Sequence, residues 1–197
     1  MAFLRSVPLL DSGPVIKSER VWMRLPQMSD HSEWAQIRNV SRQFLVPWEP
    51  EWADDELTRA AFRRRLRHYQ RDLRDGAGYA FFLFRTEDNK LIGGATLSGI
   101  RRGVSQSISL GYWIGQPYSR QGYMSTAVRR LIPFVFDTLG LHRLEAACLP
   151  SNVPSRRVLE SCGFRYEGYA QKYLKINGTW QDHLLYALVE DDPRHKR

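Results

Sequence analysis

Anion binding is the first chemistry legible in this sequence. Residues 107–125 read Ser-Ile-Ser-Leu-Gly-Tyr-Trp-Ile-Gly-Gln-Pro-Tyr-Ser-Arg-Gln-Gly-Tyr-Met-Ser. The spacing predicts a strand over 107–114, because Ile108, Leu110, Tyr112 and Ile114 alternate with small or polar neighbours, Trp113 apart. Gly115, Gln116 and Pro117 break that strand, and Arg120, Gln121 and Gly122 lead into an apolar helical pattern starting near Ser125. The first N–H groups of a helix have no partners inside it, and the helix dipole adds partial positive charge there. Such an end binds phosphate. Gly122 has no Cβ and lets an anion approach the backbone.

Other chemistries find less support. Five histidines (31, 68, 142, 183 and 195) show no metal-ligand spacing, so no metal is expected. Cys148 and Cys162 cannot build a disulfide framework, and a cytosolic chain keeps them reduced. A net charge of +8 and a pI of about 9.8 favour a polyanionic partner, either a phosphorylated cofactor or RNA. The 197 residues, 43% of them hydrophobic and 25% charged, fit one globular domain, 1–197, with an extension over 1–13 and a charged tail over 190–197. No apolar run is long enough for a transmembrane helix, and the first residues lack a secretory pattern; a cytoplasmic protein without a membrane partner is expected.

The elements that must position the loop follow in order. A strand is predicted over 20–25, before Pro26, and then a helix capped by Ser29 and Asp30. Residues 44–50, Phe-Leu-Val-Pro-Trp-Glu-Pro, form a loop fixed by two prolines. A helix over 54–74 buries Phe62, Leu66, Tyr69 and Leu73, with Asp54, Asp55 and Glu56 at its positive end. Its other face carries Arg59, Arg63, Arg64, Arg65, Arg67, Arg71 and Arg74, read either as a solvated face or as a contact for rRNA phosphates. Strands over 78–85, 91–98 and 105–114 make an antiparallel meander. The next helix carries Pro133, expected to kink it, and stops at Gly140. A strand over 144–149 then implies a parallel crossover. A short helix over 152–162 and strands over 164–174 and 183–189, joined at Asn177-Gly178, complete a mixed α/β (α+β) fold.

With these elements in place, the chain resembles the GNAT N-acetyltransferases along essentially its whole length, most closely the RimJ/RimL group. The resemblance lies in residues 44–50, Leu110-Gly-Tyr-Trp-Ile-Gly, Arg120-Gln-Gly-Tyr-Met, His142-Arg-Leu-Glu, Asn152 and Ser155, Cys162-Gly-Phe, Glu167-Gly-Tyr and Asn177-Gly-Thr-Trp-Gln-Asp. It implies a mostly antiparallel sheet of about seven strands with helices on both faces, and acetyl-CoA as cosubstrate. It implies that Arg120, Gln121, Gly122, Tyr123, Met124 and Ser125 hold the pyrophosphate, that Tyr112, Trp113 and Ile114 pair with the pantetheine arm, and that Asn152 and Ser155 face it from the other side. Two positions depart from the family pattern. Ser119, Gly122 and Met124 align with the phosphate motif and only the glycine matches, and Leu159 stands where many relatives carry a tyrosine acid. Ser155 is therefore considered in its place.

The implied reaction is acyl transfer from a thioester to an amine, with the N-terminal alanine of a ribosomal protein as the leading acceptor and a small-molecule amine as the alternative. A third alternative is a ribosome- or RNA-binding factor with a secondary acetyl-CoA site. At pH 7 about a tenth of peptide α-amines are neutral, against roughly four in ten thousand lysines, so an N-terminus needs only a weak base. Glu145 and Asp182 are the carboxylate candidates, each equally readable as a salt bridge or a turn cap. Ser155 is read as a donor to the leaving thiolate or as a helix cap, and Cys148 as a packing residue rather than a nucleophile. The resemblance puts the 44–50 loop over the acceptor, where Glu49 would receive a cationic N-terminus and Trp48 would wall the pocket, with Tyr173 across the hairpin from Asp182.

Overall fold

A computed structural model describes residues 13–193. Most of the expected 1–13 extension and the end of the charged tail lie outside the described residues. Eight strands form one sheet in the order β1-β2-β3-β4-β5-β6-β8-β7. They are β1 (Ile16–Lys17), β2 (Val21–Arg24), β3 (Gly78–Arg85), β4 (Leu91–Arg101), β5 (Ser107–Ile114), β6 (Arg143–Cys148), β7 (Arg165–Ile176) and β8 (Thr179–Val189). All neighbours pair antiparallel except β5 and β6. Among the described residues, five α-helices accompany the sheet: α1 (His31–Val40), α2 (Arg42–Leu45), α3 (Arg59–Arg74), α4 (Tyr123–Pro133) and α5 (Val153–Ser161).

The helices cover two faces. On one, α4 buries Ala127, Val128 and Leu131 against Phe81, Leu83, Leu97 and Ile108. On the other, α1 and α3 bury Trp34, Ile37, Phe62 and Leu66 against Phe82 and Phe84. Alternate residues of β3 therefore serve opposite cores, so nearly the whole strand is apolar.

Several expectations shift. The helix expected over 54–74 begins at Arg59, where Thr58 caps it by accepting from the Ala61 N–H at 3.2 Å. The acids before it are not first-turn dipole partners. Asp55 pairs with Arg64 and Glu56 with Arg65, which folds the preceding turn back onto the helix. Asp30 occupies the N-cap position of α1 but makes no side-chain cap bond; its carboxylate accepts from Arg24 and from the Gln27 N–H instead. Pro133 ends α4 at a π turn, Phe134–Thr138, closed by Leu139 N–H to the Phe134 carbonyl at 2.9 Å. The proline nitrogen cannot donate to the Arg129 carbonyl one turn back, so the regular hydrogen-bond ladder stops here. β8 begins at Thr179 rather than 183, directly after Asn177 (φ 43°) and Gly178 (φ 78°), a two-residue turn with both angles positive.

Candidate active site

The crossover from β5 through α4 to β6 builds the site. β5 and β6 pair from Ser107 with Arg143 to Leu110 with Ala146. Past Leu110, residues Gly111–Ile114 pair only with β4, while Ala147 and Cys148 pair only with β8. The two strands therefore part, and unpaired backbone of both faces a gap. Strand backbone of this kind can accept an extended amide-bearing ligand as if it were another strand.

One end of the gap leads to the N-terminus of α4. Gly122 occupies its N-cap position at φ +80°, and no side chain caps it. A Cβ on Gly122 would meet one atom, Arg20 Nη1, at 3.2 Å; otherwise the approach is open. Arg120 is exposed beside it, also at positive φ. Sequence spacing gave no reason to add Arg20, a hundred positions earlier. Its guanidinium donates to the Gln121 carbonyl at 2.9 Å and lies 4.6 Å from the centre of the Tyr123 ring. Two cations and free first-turn amides around a residue without a Cβ fit a pyrophosphate. Gln121 braces the loop by donating to Pro117 at 2.8 Å, while Tyr123 and Met124 are buried and anchor it. Ser125 lies in the first turn of α4, which begins at Tyr123, two residues before the expected start, and its backbone carbonyl accepts from the Cys162 thiol.

Across the gap, Asn152 caps α5 by accepting from the Ser155 N–H at 3.1 Å. That cap fixes Ser155 in the first turn. Ser155 Oγ lies 2.9 Å from the Tyr112 hydroxyl, which also reaches the Ser155 carbonyl at 3.2 Å. Burial pushes the Tyr112 phenol well above its ordinary range, so it remains protonated and can serve as a donor. Leu159 is 1% exposed and belongs to the core, so α5 supplies no acid there. Burial also pushes the Cys148 thiol up to about 11, against a smaller opposing hydrogen bond from Ser155. At about pH 8 only about one molecule in a thousand carries the thiolate. Iodoacetamide is therefore expected to spare Cys148 in the folded protein and to alkylate it once the chain is denatured, as read by intact mass. Rapid labelling of the native chain would show that burial does not control this thiol.

Strand alternation divides the remaining residues between faces. Leu110, Tyr112, Ala146 and Cys148 share the face of α4 and α5. Ser109, Gly111, Trp113 and Glu145 share the opposite face, where α1 and α3 cover only the β2–β4 half. Ser109 and Gly111 are exposed there, as the floor of a groove. Glu145 stands beside Ser109, one pair before the strands part, and its carboxylate accepts from Arg101 and from Arg143, the latter at 2.9 Å.

The 44–50 loop and the β7–β8 hairpin close over the same face. Both Glu49 oxygens are occupied: Arg38 donates to them at 3.0 and 2.6 Å, and Trp52 Nε1 donates at 2.8 Å. Arg38 is itself buried, its guanidinium lying 4.2 Å from the Trp52 ring and 5.1 Å from Trp113. The expected cation receiver is thus already holding an arginine. Trp48 stays half-buried in the turn ahead of it. The Glu49 carbonyl accepts from the Asn177 N–H at 2.9 Å and ties loop to hairpin.

Asp182 lies within β8 rather than opening it, and its partner is not Tyr173. It accepts from the Tyr169 hydroxyl and from the Lys172 N–H, because β7 bulges between Ala170 and Leu174. These two bonds, Tyr169 first, hold its carboxyl below the usual range and make it a poorer proton acceptor. Tyr173 instead meets His183 edge-on at 5.8 Å.

Comparison with known proteins agrees with this architecture. Residues 20–165 match the family model of the acetyltransferase (GNAT) domain. The chain is 35% identical over 178 residues to the probable N-acetyltransferase YjcK of Bacillus subtilis, spanning 90% of this chain and 98% of that one. It is 33% identical over 177 residues to the [ribosomal protein uS5]-alanine N-acetyltransferase of Escherichia coli, spanning 90% and 91%. Among solved structures, Mycobacterium smegmatis RimJ in complex with CoA-disulfide superposes with a TM-score of 0.83 at 29% identity, covering 91% of this chain and 87% of that one.

Proposed function

The chain belongs to the GNAT family and is an acetyl-CoA-dependent N-acetyltransferase, and on that premise we propose that it acetylates the N-terminal alanine amine of a ribosomal protein. One observation carries the proposal: the parting of β5 from β6 beside the uncapped N-terminus of α4, with a hydroxyl pair on one face and a carboxylate on the other. The choice of acceptor draws on the name of the Escherichia coli relative, which specifies uS5 alanine.

On this proposal acetyl-CoA supplies an activated thioester. Arg20, Arg120 and the amides of residues 122–125 hold its pyrophosphate, and the free edges of Gly111–Ile114 and Ala147–Cys148 flank its amide-bearing arm. The peptide enters over Ser109 and Gly111, beneath the loop that Arg38 and Glu49 hold in place. Glu145 accepts the proton released by the attacking amine, directly or through water. Its two arginine bonds leave lone-pair sites on the carboxylate free, and an α-amine is already partly neutral. Ser155 donates a hydrogen bond from its hydroxyl to the departing thiolate sulfur. Tyr112, kept protonated by burial, gives its single proton to Ser155 Oγ at 2.9 Å in preference to the Ser155 carbonyl at 3.2 Å, which leaves the serine hydrogen free to face the gap. No protein nucleophile takes part, consistent with the buried thiol of Cys148.

The deciding experiment incubates the protein with acetyl-CoA and peptides beginning Ala-, Ser- or Met-, read by intact mass. A single added acetyl group on the Ala- peptide is expected. Turnover of small amines with no acetylated peptide would assign the chain to small-molecule acetylation instead.

A further inference from the structure

A row of arginines on α3 lies outside everything the acetyl-transfer site uses. Arg59, Arg63, Arg67 and Arg71 recur every fourth residue and are all exposed. Residues at that spacing are neighbours on a helix surface. With a rise of about 1.5 Å per residue, the row is about 18 Å long. Other arginines of the same helix are neutralised: Arg64 by Asp55, Arg65 by Glu56 and Arg74 by Asp75. Among the described residues the four ridge guanidiniums have no hydrogen-bond or ion-pair partner. Like charges at this spacing repel and destabilise a helix, so the row is a standing local cost. The opposite face of α3 is committed to the core through Phe62 and Leu66, leaving no apolar stripe to insert into a bilayer.

We infer that Arg59, Arg63, Arg67 and Arg71 form a phosphate-binding ridge that seats the protein on RNA. Guanidiniums present paired donors suited to phosphate oxygens. A duplex carries about one charge per 1.7 Å of axis, so the ridge spans several phosphates and can engage four. The contact is sequence-independent, because it reaches the backbone and not base edges.

The test uses the full chain and a fluorescein-labelled RNA hairpin, with anisotropy read across a salt series. Four phosphate contacts predict a log–log slope near −3.6 from the ridge, an affinity loss of roughly 150-fold between about 50 mM and about 200 mM salt. Replacing the four residues together (Arg59→Gln, Arg63→Gln, Arg67→Gln, Arg71→Gln) should remove most of that slope, whereas Arg64→Gln should change it little. The melting temperature of the quadruple variant should not fall, since repulsion is relieved, and acetylation of a free peptide should be unchanged. Retained RNA affinity in a folded quadruple variant overturns the inference, as does binding to phosphatidylserine vesicles without binding to the hairpin. A chain that binds RNA yet acetylates no peptide would leave the ridge standing and overturn only the proposed acceptor.

Discussion

Gly122→Val is expected to lower acetyl-CoA affinity at least about tenfold, or about 1.4 kcal/mol, while the protein stays folded. The position sits at φ +80°, in the left-handed region that β-branched residues avoid. Holding valine there costs roughly 1–3 kcal/mol. The chain has two responses. It can keep the angle and place a branched side chain over the first-turn amides, or relax the angle and turn the amides of Tyr123–Ser125 away. Either response weakens an anion site made of backbone. Folding should survive, because the nearest atom to a new Cβ is the flexible end of Arg20, at 3.2 Å, and not a packed core. Gly122→Ala should show a smaller loss in the same direction, since it carries the unfavourable angle without the branch. Isothermal calorimetry decides the matter. Unchanged affinity for acetyl-CoA in a folded Gly122→Val protein would mean that the pyrophosphate does not lie against this turn.

The loop was legible in the sequence because its chemistry is local: a strand, a break, a glycine and a helix start within nineteen residues. β3 was legible for the same reason, and its bounds Gly78–Arg85 match the expected ones. The two-residue turn at Asn177-Gly178 carries its own conformational signal. The rest depends on residues far apart in the chain. Arg20 reaches the phosphate loop only because β2 runs beside β3 and turns its end toward α4. Asp55 and Glu56 read as dipole partners of a helix start because their actual partners, Arg64 and Arg65, lie across a turn whose path no periodicity records. The first residues of β8, Thr179–Asp182, were missed because they lie on an outlying ribbon where both strands are largely exposed. Alternation between a wet and a dry face, the usual strand signal, is absent there. The role of Tyr112 was only half legible. Its backbone position followed from the family resemblance, but its bond to Ser155, forty-three residues on, required the crossover to close.

That bond leads to the sharpest expectation for catalysis. Ser155→Ala should lower kcat roughly tenfold to a hundredfold, the range of a lost donor to a developing anion. Tyr112→Phe keeps the ring, removes the hydroxyl and should lower kcat about tenfold, with KM for acetyl-CoA nearly unchanged. The double variant separates positioning from an independent role. If Tyr112 acts by directing the Ser155 hydrogen, then Tyr112→Phe in the Ser155→Ala background has nothing left to direct, and the double variant should be no slower than Ser155→Ala alone. Multiplicative losses would show that Tyr112 serves the reaction, or the packing of the gap, by another route. A general loss of stability would instead lower the melting temperature and the active fraction in both single variants. The raised pKa of Tyr112 adds a check: a group that remains protonated cannot impose a descending limb on the rate profile. The wild-type profile of kcat between about pH 7 and about pH 10 should therefore carry no step that Tyr112→Phe removes. A step lost in that variant would make the phenol a titrating acid rather than a fixed donor.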